Sequence, residues 1–296
     1  KNVQVDVNPL RIHSFRFNGY DYHDITAAGS MQDGLILADV TSSDPNLQMT
    51  LHGNIDLGGN GRENRYLLDL DIGHLDLSAL NFDKRDSASV CLALEADIVQ
   101  TPGGAFLGTA GIRNLQATLP SRRFDVGDID LASTFEDERY GLVLNSTLAK
   151  ADYDGNIFIT DFLKQSYLVI MDDHLEQLLR KQETGAERES HPDDFGSFRL
   201  RTLNLQPVLD FFAPDLFVSR ESSIGVSLGG DEAVGTIASE LIGIGNTFLR
   251  NLQGRFFTEG SLMRADLDLD RLQTGSLLAD NLSLDAIADS TSIDLE

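Results

Sequence analysis

The segment Tyr66-Leu67-Leu68-Asp69-Leu70-Asp71-Ile72-Gly73-His74-Leu75-Asp76-Leu77 alternates apolar and polar side chains with a period close to two residues. Alternation of this kind places one set of side chains on each face of a β-strand, here an apolar face and a largely acidic face. Similar alternation recurs at residues 141–145, 156–160 and 266–270. The chain is therefore predicted to consist mainly of β-strands.

Glycine-rich turn signals separate the predicted strands. They are Gly58-Gly59-Asn60-Gly61, Pro102-Gly103-Gly104, Asp154-Gly155 and Gly229-Gly230-Asp231. Asp-Gly and Gly-Gly tolerate positive φ angles and so favour tight hairpins. Long crossover helices between the strands are mostly missing, which argues against a doubly wound parallel sheet. An all-β, mainly antiparallel fold is expected.

One segment departs from the period of two. An amphipathic helix is predicted over about residues 162–181, with Asp161 as its N-cap, because apolar residues recur there at helical spacing. We expect its apolar stripe to cover part of the sheet; the stripe comprises Leu163, Tyr167, Met171, Leu175 and Leu178. A polar loop at 182–194 follows. A second short helix is predicted near residues 206–212, ending before Pro214.

A short motif of a polar residue, a leucine and a second polar residue recurs along the chain. It is seen as His74-Leu75-Asp76, Asn114-Leu115-Gln116, Asn204-Leu205-Gln206, Asn251-Leu252-Gln253 and Asn281-Leu282-Ser283. The irregular spacing excludes a solenoid of fixed period. The motif indicates one kind of strand unit that is used many times.

The composition excludes several classes of function. The 296 residues include 47 acidic and 23 basic ones, giving a formal charge of -24 that repels nucleic acid and anionic headgroups. A hydrophobic content of 41% is sufficient for a folded chain. Cys91 is the single cysteine, so no internal disulfide is possible and no zinc site is expected. No run approaches the 18 apolar residues typical of a membrane-spanning helix.

The acidic residues and histidines of the sequence do not form a pattern that indicates catalysis. Carboxylates are so frequent that adjacent pairs such as Asp172-Asp173 are expected by chance. The segment 152–156 resembles a calcium loop but lacks the required glycine and the final glutamate. His-Glu-x-x-His does not occur. We therefore predict a protein that is not an enzyme, with no catalytic residues, no cofactor and no metal ligands.

Strands with one apolar face can be stabilised in two ways. Two sheets can pack face to face in a sandwich, or one sheet can curl and keep its apolar face as a lined groove. A fully exposed face is excluded, because each buried Leu or Ile contributes about 1.5–3 kcal/mol. Leucine and isoleucine dominate the alternating positions and tryptophan is absent. Such a lining suits acyl chains better than sugars, yet the residues alone leave both architectures open.

Four stretches resemble proteins of the AsmA-like group, in particular the translocation and assembly module subunit TamB of Bacteroidetes-type bacteria. They are residues 66–77, residues 151–157 with the helix that follows, residues 203–216 and residues 267–284. The likeness covers most of the chain and lies in the texture of the strands and the order of the elements. It places this sequence in a middle portion of such a protein.

The resemblance implies an elongated curled sheet, a β-trough with an apolar inside. It also implies the periplasmic portion of an inner-membrane-anchored protein in a Gram-negative bacterium, with a TamA-like outer-membrane barrel protein as partner of the full-length chain. The expected role is phospholipid transport and outer-membrane protein assembly or secretion. The groove would shield lipid acyl chains or unfolded outer-membrane protein strands. The alternative is a periplasmic or surface β-sandwich that binds protein or glycan.

Three regions are expected: a first trough segment at 1–160, the helix and polar loop at 161–196, and a second trough segment at 197–296. The candidate lining of the apolar groove is the alternating set of aliphatic residues. These are Leu68, Leu70, Ile72, Leu75, Leu77, Val126, Ile129, Leu131, Leu142, Leu144, Ile157, Ile159, Leu267, Leu269, Leu282 and Leu284.

Overall fold

The computed structural model describes residues 4–59, 61–85, 87–169, 193–230, 232–260, 262–289 and 293–295. Strands make up 72% of the described residues and are mostly antiparallel, and the same residues contain two short helices. The expected all-β, mainly antiparallel fold with one or two short helices is confirmed. The chain divides into two compact units, residues 1–133 and 134–296. Both helices lie within the second unit. Residues 161 and 196, which bound the predicted region of helix and polar loop, also lie within it.

The first unit is an antiparallel meander in which each strand pairs with the next one along the chain. No pairing joins its first and last strands within the described residues, so the meander is open. The strands are β1 (Gln4–Phe17), β2 (Tyr20–Gln32), β3 (Leu35–Asp44), β4 (Leu47–Leu57), β5 (Asn64–Asp76), β6 (Ser89–Gln100), β7 (Phe106–Leu119) and β8 (Arg122–Glu136), the last running past the unit division.

The second unit continues the antiparallel pattern with helices inserted between strands. Its elements are β9 (Arg139–Ser146), β10 (Ala149–Gly155), α1 (Ile159–Tyr167), β11 (Phe195–Thr202), α2 (Gln206–Phe212), β12 (Leu216–Val218), β13 (Ser223–Gly229), β14 (Glu232–Ile244), β15 (Thr247–Glu259), β16 (Leu262–Thr274), β17 (Leu277–Ala288) and β18 (Ile293–Leu295). Strands β9, β10, β11, β13, β14, β15, β16, β17 and β18 pair in that order. The short β12 pairs with the far end of β14.

Three of the four predicted turns join hairpin strands. The glycines at 58–61 connect β4 to β5, those at 102–104 connect β6 to β7, and those at 229–230 connect β13 to β14. The turn expected at Asp154-Gly155 is not a hairpin, since β10 ends at Gly155 and the chain continues into α1. The strand expected around Ile157 and Ile159 is also absent: Ile157 lies between β10 and α1, and Ile159 is the first residue of α1.

Helices are found at both predicted places, but the first one begins earlier than predicted, at Ile159. Phe158, without a side-chain hydrogen bond, is the N-cap of α1, so Asp161 lies in the first turn and does not cap the helix. Residues 170–192 lie outside the described residues. They include Met171, Leu175 and Leu178 of the predicted helix and most of the predicted polar loop. The second helix is confirmed as α2.

The recurrent Asn-Leu motif marks a distortion inside strands. Asn114, Asn251 and Asn281 have φ angles of 54°, 51° and 54° and lie within β7, β15 and β17. A left-handed residue inside a strand produces a bulge, and the register of β7 against β8 shifts between Ile112 and Leu115. The bulge inserts one residue into the alternation, so apolar side chains three positions apart share a face.

Candidate functional site

The apolar face of the first unit is organised in rows that cross the strands. Directly paired residues of neighbouring strands lie on the same face, so the pairings define three adjacent rows. The outer row contains Val5, Met31, Ile36, Ile55, Tyr66 and Ile98. The middle row contains Val7, Gly29, Ala38, Gly53, Leu68, Ala96, Ala110 and Leu131. The inner row contains Leu10, Ala27, Val40, Leu51, Leu70, Leu94, Ile112 and Ile129.

Small side chains line the middle row in two stretches, on β2–β4 and on β6–β7, and the bulkier Leu68 of β5 lies between them. Gly29, Ala38 and Gly53 form the floor of this row on three consecutive strands, and Ala96 and Ala110 do so on two more. The outer and inner rows are four residues apart along β2 to β6, which corresponds to about 13 Å. Across the strands the middle row extends about 34 Å at ~4.8 Å per strand spacing. One acyl chain spans about 15 Å, half of a bilayer's hydrocarbon core.

The side chains of these rows remain partly accessible to solvent. Leu51, Leu70, Leu94 and Ile129 of the inner row are all intermediate in exposure, neither buried nor fully exposed. In a sandwich, side chains of this row would be sealed between two layers and therefore buried. The apolar face of the first unit is thus a lined surface that a guest can still reach.

The opposite face of the first unit is polar and carries ion pairs between neighbouring strands. Arg65 contacts Asp97 at 2.9 Å across β5 and β6, and the His52 ring lies 2.6 Å from Asp39 across β3 and β4. All four side chains are exposed. Surface pairs of this kind contribute little to stability, so this face is a polar surface open to solvent.

The second unit has an equivalent apolar face. Its first row contains Leu142, Tyr153, Phe198, Val226, Gly235, Phe256, Ala265 and Ala286. Its second row contains Leu144, Ala151, Leu200, Ile224, Ile237, Gly254, Leu267 and Leu284. Leu267 is intermediate in exposure and Leu284 is 39% exposed, so this face also remains accessible away from α1.

A loop covers one end of the apolar face in the first unit. The loop, residues 77–85, places the fully buried Leu80 against Tyr22 and Ile25. Asn18 donates hydrogen bonds from Nδ2 to the carbonyl oxygens of Leu80 and Asn81, both at 3.0 Å. Asn81 donates from its own Nδ2 to the carbonyl oxygen of Asn18 at 2.9 Å. These reciprocal bonds fix the loop to the β1–β2 turn.

A buried carboxylate anchors the strands beneath this loop. Asp44 is fully buried and accepts hydrogen bonds of 2.8 Å from the Tyr20 hydroxyl and from the backbone N–H groups of His23 and Asn46. Burial alone would raise the pKa of the Asp44 carboxyl. The hydrogen bonds outweigh burial and hold that pKa below its ordinary value, so Asp44 is a carboxylate at neutral pH.

Helix α1 covers one end of the apolar face in the second unit. Phe162 is fully buried against Tyr153, Leu228 and Ala233, and its ring centroid lies 5.0 Å from that of Tyr153. Gly196 leaves the space for this ring, because a Cβ there would lie 2.5 Å from Cδ2 of Phe162. The Tyr153 hydroxyl donates to the Ile157 carbonyl oxygen at 2.5 Å. Burial, followed by the charges of Asp161 and Asp194, raises the pKa of Tyr153.

Most of the predicted lining residues share these apolar faces. In the first unit the rows include Leu68, Leu70, Ile129 and Leu131, while Ile72 pairs with Met49 and Leu92 next to them. Leu75 packs beside Leu80, Val126 is buried in β8, and Leu77 follows the end of β5. In the second unit the rows include Leu142, Leu144, Leu267 and Leu284, and Leu269 pairs with Leu282. Ile157 and Ile159 pack with the α1 cluster.

The two residues of the predicted covering stripe that the structure describes do not lie on the buried side of α1. Leu163 and Tyr167 are 50% and 43% exposed, whereas Phe162, Gln165 and Ser166 are buried. The sequence interpretation also missed Leu80 and the glycine and alanine floor. Leu80 had only a weak signal, as an apolar residue between Ala79 and Asn81, and small residues carry no signal in an alternation of large apolar side chains.

No family model, curated protein or solved structure matches this chain. In the part of the chain that the structure describes, no helix is both long enough and apolar enough to cross a membrane. The same residues contain no cluster of three or more histidine, cysteine or acidic side chains that could hold a metal ion.

Proposed function

We propose that this chain shields the acyl chains of lipids from water during transport. The observation that carries the proposal is the continuity of partly exposed apolar rows across eight consecutive strands of the first unit. An equivalent face in the second unit supports it. An acyl chain needs apolar area and no polar partner, which is what these rows offer.

The dimensions of the groove favour an extended guest. Its width of about 13 Å between the outer and inner rows admits an acyl chain lying over the glycine and alanine floor. Its lining offers few of the hydrogen-bonding groups that a sugar would require. The single meander of strands in the first unit, with accessible apolar side chains, is also unlike the sandwich of the alternative binding module.

The biological setting of this proposal comes from the resemblance to TamB. We propose a periplasmic position in an inner-membrane-anchored envelope protein of a Gram-negative bacterium, with a TamA-like outer-membrane partner for the full-length chain. The mainly antiparallel β fold is the fold class that this resemblance implies. In that setting the guests would be phospholipids that move between two membranes.

A second candidate guest is an unfolded strand of an outer-membrane protein. Strand β1 pairs with β2 alone among the described strands, and Val5, Leu10 and Phe17 on it are 46%, 53% and 58% exposed. An unpaired strand edge offers backbone groups to an incoming strand. This observation favours strand addition at β1 as a further way to shield a client.

Filling the groove tests the lipid proposal without disturbing the fold. A Cβ at Gly53 would meet Leu68 Cδ2 at 3.6 Å and Ala38 at 3.8 Å or more, which is ordinary contact. Gly53→Phe therefore introduces a ring into the groove on a backbone that accepts it. Asn54→Phe places the same ring on the opposite, exposed face of β4 and is the matched control.

The readout is binding of a fluorescent fatty acid to the delipidated protein. We expect Gly53→Phe to weaken binding about tenfold, corresponding to about 1.4 kcal/mol, while Asn54→Phe binds as the wild-type protein does. Thermal melting should show both variants folded. Extraction and mass spectrometry of the purified wild-type protein should also yield phospholipid. Unchanged binding in Gly53→Phe, together with no copurified lipid, contradicts the proposal.

A further inference from the structure

Two neighbouring hairpin tips in the second unit expose large apolar side chains. The β14–β15 tip presents Ile244, which is 60% exposed, and Phe248, which is 39% exposed. The β16–β17 tip presents Leu277 and Leu278, which are 59% and 52% exposed. Phe217 of β12 lies beside the first tip and is 37% exposed. We define these five residues as the apolar rim.

The apolar rim extends over both faces of the sheet. Ile244 and Leu277 belong to one row across the strand ends, which passes through Thr247 and Thr274. The adjacent positions Phe217, Phe248 and Leu278 belong to the next row, which lies on the opposite face. A surface for a second sheet would be apolar on one face only, so the rim has the character of a protruding edge.

Charged residues are missing from the tips. Residues 241–249 and 272–279 contain no Asp, Glu, Lys or Arg. Asp215 is the charged residue beside the first tip, where its carbonyl oxygen accepts the N–H of Gly245 at 2.8 Å. The opposite ends of the same strands are charged, with Glu232, Glu259 and Arg264. The lack of charged side chains is therefore specific to one end of these strands.

A row of charged side chains limits how far the uncharged part of the strands extends inward from the hairpin tips. Arg250, Arg271 and Asp280 are paired across β15, β16 and β17, three residues inward from the last row. Three residues of strand correspond to about 10 Å. Segments that insert into a membrane interface bury their apolar side about 5–10 Å deep. Arginines at this depth would lie level with the lipid headgroups.

We propose that the apolar rim inserts into the surface of a lipid bilayer. A bilayer accepts apolar side chains from both faces of a hairpin, whereas a protein partner would need a matching cleft and partners for the backbone of two tips. The net charge of -24 favours an electrically neutral bilayer over an anionic one. The rim contact itself is independent of the proposed function.

The rim is continuous with the apolar face of the second unit. Next to Ile244 and Leu277 on the same face lies a row of Ile242, Leu249, Leu272 and Ala279. Beyond it lie Leu252 and the pair Leu269 and Leu282. An acyl chain leaving a bilayer at the rim would meet apolar side chains along this whole path. This role in lipid uptake rests on the proposed function.

Vesicle flotation tests the proposal with phosphatidylcholine vesicles. The rim variant carries Ile244→Asp and Leu277→Asp. The control variant carries Leu262→Asp and Ile287→Asp at the opposite ends of β16 and β17, where the two side chains are 38% and 42% exposed. We expect the rim variant to lose vesicle binding about tenfold or more, because each inserted side chain contributes the free energy of its buried apolar area. The control should bind as wild type.

Adding equimolar phosphatidylglycerol to the vesicles should weaken the binding of the wild-type chain. Binding that instead rises with phosphatidylglycerol and disappears in high salt would assign the contact to the arginines and overturn insertion. Wild-type protein that does not float, or a control variant that loses binding as strongly as the rim variant, also overturns it.

The fatty-acid assay separates this inference from the proposed function. A rim variant that loses vesicle binding but still binds the soluble fatty acid supports both. Wild-type protein that floats with vesicles but binds no fatty acid supports the rim and contradicts the acyl-chain groove.

Discussion

The two units cover one end of their apolar faces in different ways. In the first unit a loop inserts the single buried side chain of Leu80 and is held by reciprocal hydrogen bonds between Asn18 and Asn81. In the second unit helix α1 packs the Phe162 ring against Tyr153 and Leu228. The first cover depends on hydrogen bonds above a buried carboxylate, whereas the second depends on aromatic packing.

The two covers differ in chemistry, but neither of them is a second sheet. A short local segment seals one end of each apolar face, and the remaining rows stay accessible. The buried clusters are small, so single residues in the two covers should dominate the stability of their own unit. The stabilities of the two covers should also respond to pH in opposite directions, because Asp44 has a lowered pKa and Tyr153 a raised pKa.

The largest effect is expected from Phe162→Ala. Removing a fully buried ring should destabilise the second unit by about 4 kcal/mol, because the cavity beneath α1 cannot refill completely. Hydrogen exchange measured by mass spectrometry should show lost protection in β10, β11 and β13. Leu163→Ala on the exposed side of α1 is the control and should change little. Equal losses of protection in the first unit would refute this local role.

Leu80→Ala should have a somewhat smaller effect, about 3 kcal/mol, confined to the first unit. Leu80 is completely buried against Tyr22 and Ile25, so its loss leaves a cavity under the loop. Exchange protection should fall in β1 and β2. Phe82→Ala, a larger deletion at a side chain that is 57% exposed, is the control. A control that destabilises as much as Leu80→Ala would show that the loop is not held by this contact.

Alkaline pH should weaken the second cover. The pKa of Tyr153 is raised in the folded state, so its contribution is complete below the ordinary tyrosine value of 10.0 and is lost as pH rises above that value. Tyr153→Phe should lose about 1 kcal/mol at pH 8 with the hydrogen bond to Ile157, and its stability should fall less steeply above pH 10. Urea unfolding across this range, followed by exchange in β10, measures both changes.

Acid should weaken the first cover, with the smallest effect of the four. The pKa of Asp44 is lowered in the folded state, so its contribution is complete above the ordinary value of 3.8 and is lost as pH falls through the lower, folded value. Burial and hydrogen bonding act in opposite directions there, which limits the size of the change. Asp44→Asn should flatten the acid dependence of exchange in β3. An unaltered acid profile in that variant would rule out Asp44 as its source.

The strand pattern was readable from the sequence because it is local. Alternation at Leu68 and Leu70 follows from the two-residue repeat of a strand, and three of the four predicted turns join hairpins because glycine supplies the φ angles that they need. Helix α2 could also be predicted, since Pro214 limits its length. The Asn-Leu motif was visible as well, although its meaning required the left-handed φ angles at Asn114, Asn251 and Asn281.

The wrong predictions concern α1, whose packing is determined by contacts between residues that are distant along the chain. Leu163 and Tyr167 have suitable helical spacing, yet Phe162 is buried instead because Gly196 of β11 leaves room for its ring. No local sequence pattern indicates the space above Gly196, because this space arises from the pairing of β11 with β10. Asp161 falls in the first turn because α1 begins two residues earlier, at Ile159.

The order of side chains along this chain is enough to specify strands, their two unlike faces and most of their turns, because each depends on neighbours a few residues apart. Three further features depend on pairings between strands. They are the positions that form the glycine and alanine floor, the ends of the faces that Leu80 and Phe162 cover, and the hairpin tips that expose Ile244 and Leu277. Those pairings join residues that are distant along the chain. Only the folded sheet brings them together.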